Sequence, residues 1–320
     1  MHRYFLIPFI GFFIIVSIFV FFLQFINEDW KFIVPKVPLP EGCDNNIETS
    51  FIFYETDKKI NRSFKDEPDL YEGNQFHTIY LLPCERDDRE YDINNKIESS
   101  LLAINNWLKV QTSNQEIKFD RNIDGDIDIT FLRVNKTMDW FGDLHNSDKL
   151  KNITEVSNKI EKLINDNSNL FNNFSYKKFI IFFEGWEKRK YIDYDICGKS
   201  RFDGNIAIYY TYSRFKKYIG DDLILSNNER IFSCTHKDHL NNNNDKTFGD
   251  AEATILHEII HALGFPASCA KNYKSFHITD SKNDIMYKNS GKIYLDYNND
   301  DYYNHGQTNC PDLRNSKFLQ

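Results

Sequence analysis

The sequence predicts an α+β fold, a twisted mixed sheet packed against helices with a smaller irregular part at the C-terminal end. Three observations predict it. Apolar runs of strand length recur at residues 77–82, 178–183 and 205–210. Residues 93–111 and 149–164 carry apolar side chains at helical spacing. A third helical stretch, 251–263, is bounded by start and stop residues, and regular patterning fades after it.

In chain order, residues 77–82 (HTIYLL) read as a strand. In 93–111, Ile97, Leu101, Leu102, Ile104 and Leu108 line one helical face. Residues 117–119 and 127–131 flank an Asp-Gly turn and read as a hairpin. In 149–164, Ile153, Val156, Ile160 and Leu163 share a face. After Lys178 and Asn205 the runs 178–183 and 205–210 are continuously apolar, as strands covered on both sides are. Residues 213–248 are polar, with four consecutive Asn from Asn241, and read as an irregular loop. In 251–263 Asp250 is a natural N-cap, Gly264 suits the left-handed position past the end, and Pro266 stops continuation.

The 320 residues are 41% hydrophobic, enough for a substantial core. The net charge is −8, with 39 Lys and Arg against 47 Asp and Glu, which argues against a basic phosphate-binding face, so no nucleic-acid partner is expected. Residues 4–26 form an apolar run without a charge, long enough to span a hydrocarbon core of about 30 Å. Arg3 precedes it, and Glu28 and Asp29 follow. The expectation is an N-terminal signal anchor over 1–27, with membrane contact through this helix and the remainder extracytoplasmic. Secretion after signal cleavage is the alternative, and it leads to the same compartment. A polar, Pro-containing stalk over 28–74 and a single domain over 75–320 complete the expected organisation. Six cysteines, all beyond the apolar run, agree with export. Sequons at Asn61, Asn135, Asn152 and Asn173 permit glycosylation.

The chemistry lies in the third helix, which contains His257-Glu258-Ile259-Ile260-His261. Residues i and i+4 lie on one helix face, so two imidazoles can reach one ion, and the Glu beside them can take a proton from water. In a chain with nine His, a chance match is on the order of a few per cent. Asp120-x-Asn122-x-Asp124-Gly125 resembles the start of a calcium loop, but position twelve is Phe131, so a plain turn is expected. Asp296 to Asp301 reads as a solvated loop, and Cys234 to His239 as a loop pinned by a disulfide. A G-x-S-x-G elbow is not present.

H-E-x-x-H-x-x-G, followed by Asp284-Ile285-Met286-Tyr287, resembles the metzincin clan of the zincin zinc peptidases. There the third ligand is commonly a His six residues past the second, a position filled here by Ala267. Leishmanolysin-like members carry an insertion before that ligand, and the next His here is His277. The resemblance implies Zn2+ held by His257, His261 and His277, with Glu258 as general base and Met286 in a Met turn. Asp280, Asp284 and His305 remain rivals for the third position. Tyr287 follows Met286 directly, one residue short of the Tyr found in some metzincins.

The order strand ending in Leu-Pro, Trp107, Cys197-Gly198, Cys234, the helix motif, Cys269-Ala270 and Cys310-Pro311 is similar to a family of exported, largely bacterial zincin-like proteins. That likeness implies the pairs Cys197–Cys234 and Cys269–Cys310, leaving Cys43–Cys84, and supplies no substrate. The expected function is a zinc metalloendopeptidase acting on a peptide or protein substrate. The alternatives are a non-peptidase zinc amide hydrolase and a binding or adhesion protein on an inactive scaffold.

Overall fold

The computed structural model describes residues 39–142, 155–186, 196–215, 223–224, 230–233, 247–288 and 293–320. The apolar run, residues 28–38, Asn152, Cys234, His236 and His239 lie outside them. Among the described residues no helix is long and apolar enough to cross a membrane.

The principal sheet has five strands: β1 (Gln75–Pro83), β2 (Ile129–Val134), β3 (Lys177–Phe183), β4 (Gly198–Ser200) and β5 (Ile206–Tyr210). Their order is β2-β1-β3-β5-β4. Four strands run parallel, and β4 closes one edge antiparallel to β5. Side chains alternate between the faces along each strand. Phe76, Tyr80, Leu82, Ile180, Phe182 and Tyr209 enter one core, with helix α1 (Lys96–Gln111) and the motif helix. Ile79, Leu81, Ile181, Phe183, Ile208 and Tyr210 enter a second core, with the short helix α2 (Met138–Phe141) and α3 (Glu155–Asp166). The sheet is therefore sandwiched, which is why its strands carry apolar side chains on both faces. The motif helix is α4 (Asp250–Ala262).

The structure departs from four of the sequence expectations. The 117–131 hairpin is only a short ladder, with the Arg121–Ile127 bridge and Asp128 N–H donating to Asp120. Past it the chain leaves Phe119 and pairs with β1 in parallel as β2. A parallel neighbour is not legible from local turn chemistry. Residues 213–248 are not wholly irregular: β6 (Tyr212–Phe215), β7 (Leu223–Ile224) and β8 (Arg230–Ser233) form an antiparallel sheet.

The expected stalk belongs to the domain from residue 40 onward, since Pro40–Gln320 is one compact unit. Three of its carboxylates, Asp57, Asp66 and Asp69, turn inward to charged partners, although composition alone reads the segment as solvent-facing. Asp57 takes a bidentate pair from Arg133, at 2.7 and 2.8 Å, with both side chains buried. Lys177 Nζ donates to Asp66, Asp69 and Asp120 at 2.5, 2.7 and 2.6 Å. His77 bridges Asp120 and Thr130 beside it. Asp120 is thus an internal ion-pair partner, which leaves the turn at Gly125 (φ +91°) with no calcium-loop role. Asp296 likewise is no solvated loop residue: it is buried and accepts from the N–H groups of Tyr302 and Tyr303, both at 2.6 Å.

Cys43–Cys84 and Cys269–Cys310 are disulfides, as expected. Cys197 is disulfide-bonded too, and its expected partner lies outside the described residues. Asn135 is fully buried, takes the Ser50 N–H and donates to Glu48, so this sequon offers no room for a glycan. Asn61 and Asn173 lie at the surface.

Candidate metal centre

Helix α4 is buried nearly all round, so its ends must be satisfied within the protein. The cap is Gly249, one residue before the expected Asp250. Its N–H donates to Glu252 Oε2 at 2.9 Å, and Ser100 hydroxyl donates to Glu252 as well. At the other end Gly264 adopts φ +84°, the left-handed turn that a Cβ would strain. Its N–H donates to the His261 carbonyl at 2.9 Å, as does that of Asp203. Lys178 Nζ donates to the Ala262 carbonyl at 2.8 Å, a cation at the negative end of the helix.

The 263–288 segment then folds back over the helix. The Cys269–Cys310 disulfide and Asn272, whose N–H and amide both donate to Asp301, tie it to the C-terminal part. Strands β9 (Tyr273–Lys274) and β10 (His277–Ile278) form a two-residue hairpin that presents His277. The Ile278 N–H donates to the Met286 carbonyl, and Met286 is fully buried in the core beneath.

His257, His261 and His277 come together. One potential ligand atom from each lies within 4.8 Å of the others. The ring centroids are 4.6, 5.3 and 5.1 Å apart. Each ring uses Nδ1 on a backbone carbonyl: His257 on Ile285 at 2.6 Å, His261 on Phe265 at 3.0 Å, His277 on Ser275 at 2.8 Å. A carbonyl only accepts, so every Nδ1 carries a proton, and in the neutral ring Nε2 then keeps its lone pair. Three imidazoles in one tautomer, oriented by backbone, are what a metal needs of its His ligands. Three imidazole nitrogens are a donor set that a transition metal such as zinc accepts.

Electrostatics agree. Burial pushes the His257 imidazole down to about 4, with nearby His277 adding to the effect and the bond to Ile285 opposing it. Burial and its two neighbours hold His261 well below the ordinary value. Both rings are neutral at physiological pH, as ligands must be. For the metal-free protein the sign follows from linkage: the unfolded imidazole has the higher pKa and takes up protons first. Stability present above pH ~6.5 is therefore lost as pH falls through about 4, by about 3 kcal/mol for His257. Thermal unfolding of the chelated protein from pH 7 to 4 should show this decline, reduced in His257→Gln. Equal slopes for the two proteins would contradict neutral, buried ligands.

The rivals for the third position are placed elsewhere. Asp284 is buried and takes the N–H groups of Met286 and Tyr297, both at 2.7 Å, and the Tyr302 hydroxyl at 2.8 Å. His305 is tied to Pro311 and Gln307. Asp280 groups with Asp300 and Asp301, apart from the imidazoles.

Glu258 follows His257 in the helix and leans on edge strand β4. A Cβ on Gly198 would fall 2.8 Å from Glu258 Cγ, 2.9 Å from Oε1 and 2.7 Å from Thr254 Cγ2. Only a glycine lets β4 approach the carboxylate so closely. Sequence reasoning gave Gly198 no role: its position beside Cys197 is visible in the sequence, but its contact with the helix is not. The three carbonyls that orient the rings leave no sequence signal, because any residue supplies one.

No protein-family model and no curated protein matches the chain. Among solved structures, a catalytically inactive OgpA from Akkermansia muciniphila, in complex with an O-glycopeptide (glycodrosocin) substrate, is aligned at 9% identity and a TM-score of 0.28. The alignment covers 54% of this chain and 43% of that one, so the chain spans less than half the length of that protein. At that score the likeness carries no argument about this chain.

Proposed function

We propose that the protein is a zinc-dependent metallopeptidase of the zincin type that hydrolyses peptide bonds in peptide or protein substrates. The supporting observation is the trio of His257, His261 and His277, gathered together with each Nδ1 donating to a backbone carbonyl. These three imidazoles would hold the zinc. A zinc ion in such a site lowers the pKa of water toward neutrality and polarises a carbonyl oxygen.

The protein's own groups supply the rest. Glu258 accepts the proton of the attacking water and delivers it to the departing amine nitrogen. Strand β4 is the edge of its sheet among the described residues, and its Gly198 touches Glu258. An extended peptide pairing with that edge would bring its backbone past the carboxylate. The buried helix and the hairpin carrying His277 keep the donor atoms in place before substrate arrives, so little reorganisation opposes the reaction.

The disulfides suit an extracytoplasmic domain, with residues 1–27 as its membrane anchor. Digestion of a diverse peptide mixture by the purified full chain, read by mass spectrometry, tests the reading. Cuts that a chelator abolishes and zinc restores are expected. A folded, zinc-loaded chain that cuts nothing would favour a non-peptide amide substrate or a binding scaffold.

A further inference from the structure

Two large aromatic side chains are exposed beside the metal centre. Phe276 is 51% and Phe202 37% exposed, and their ring centroids lie 5.3 Å apart. Tyr273 meets Phe276 edge-on at 6.2 Å. Each phenylalanine sits one residue from a backbone group that fixes the centre. Phe276 lies between Ser275, whose carbonyl orients His277, and His277 itself. Phe202 precedes Asp203, whose N–H caps the His261 carbonyl. Phe202 also follows β4 by two residues, so the pair lies where that edge strand runs out.

The backbone at Phe276 is unusual. Ser275 and Phe276 both lie in the left-handed region, at φ +50° and +67°. Bringing the Ser275 carbonyl to the imidazole accounts for the turn, but not for a phenylalanine in it. Glycine adopts this conformation without strain, and a bulky side chain rarely does. A phenylalanine here both strains the chain and leaves half its surface in water. Neither helps the fold, and together they point to a ring held ready for a ligand.

We propose that Phe202 and Phe276 form the specificity subsite of this hydrolase, binding a bulky apolar side chain of the substrate next to the scissile bond. The inference rests on the metallopeptidase reading and names its substrate class: peptides with Phe, Leu, Met or a residue of like size at one fixed position. A peptide paired with β4 projects alternate side chains to one face. The side chain reaching the end of the strand would meet the two rings. The rings contribute contact area and no charge, so they select size and apolarity.

The test uses the purified, zinc-loaded full chain and two end-blocked hexapeptides, one all Ala and one with a single central Phe. Wild type should favour the Phe peptide in kcat/KM by about tenfold to a hundredfold. Phe276→Gly and Phe202→Ala should remove most of that preference, change the Ala peptide by less than about threefold, and leave zinc content intact. Phe276→Gly should also match or exceed the wild-type melting temperature, since it relieves the turn. Preference retained in both variants would overturn the proposal. So would equal losses on both peptides, which would make Phe276 a positioning residue for His277. If wild type cuts neither peptide, the hydrolase reading fails separately, and calorimetric binding of the same peptides decides the subsite. A preference for Phe that Phe276→Gly abolishes supports it, and equal affinities overturn it.

Discussion

Glu258→Gln should lower kcat/KM for peptide hydrolysis by about 10²–10⁴-fold while leaving fold and zinc content unchanged. Glutamine has nearly the same shape, so the contact with Gly198 survives. The three nitrogens that would hold zinc belong to other residues. What glutamine lacks is the ability to accept a proton at neutral pH, and both proton transfers pass through this side chain. The measurement is kcat/KM on a cleaved peptide, with zinc content and melting temperature as controls. Retained activity in the variant would remove Glu258 from the mechanism. Gly198→Ala should cost activity too, because its new methyl would fall 2.8 Å from Glu258 Cγ and displace the carboxylate.

Asp57→Ala should destabilise the domain by about 3–5 kcal/mol, a drop of roughly 10 °C in melting temperature. Arg133 on β2 is 3% exposed, and Asp57 takes both arms of its guanidinium. Removing the carboxylate leaves a positive charge buried with only backbone carbonyls, those of Pro83, Cys84 and Arg86, as acceptors. The same carboxylate accepts the Tyr54 N–H at 2.9 Å, so a local turn is lost with it. A melting temperature within about 2 °C of wild type would show that the 40–74 segment does not support the domain.

Much of the site can be read from the sequence, for identifiable reasons. His257, Glu258 and His261 lie within one helical turn, so spacing alone places them together. His277 is legible through resemblance, and its geometry depends on a hairpin and a disulfide that bring distant residues back over the helix. The strands of the principal sheet are visible as apolar runs because helices cover both faces. Their order is not, because parallel pairing joins segments about 50 residues apart, such as Thr78 and Ile129, through connections that leave no local mark. The segment 40–74 misleads for the opposite reason. Asp57, Asp66 and Asp69 look solvent-facing in the sequence, yet each is matched by a cation on a strand far along the chain. Polarity signals solvent only where the partner charge is absent, and the partner cannot be seen locally.

The most direct measurement is the zinc content of the full chain, purified without added metal, for wild type beside His277→Ala and His305→Ala. The expected result is about one zinc per chain in wild type and in His305→Ala, and loss of most of it in His277→Ala. A wild type without zinc, or a His277→Ala variant that keeps it, would contradict a three-imidazole centre.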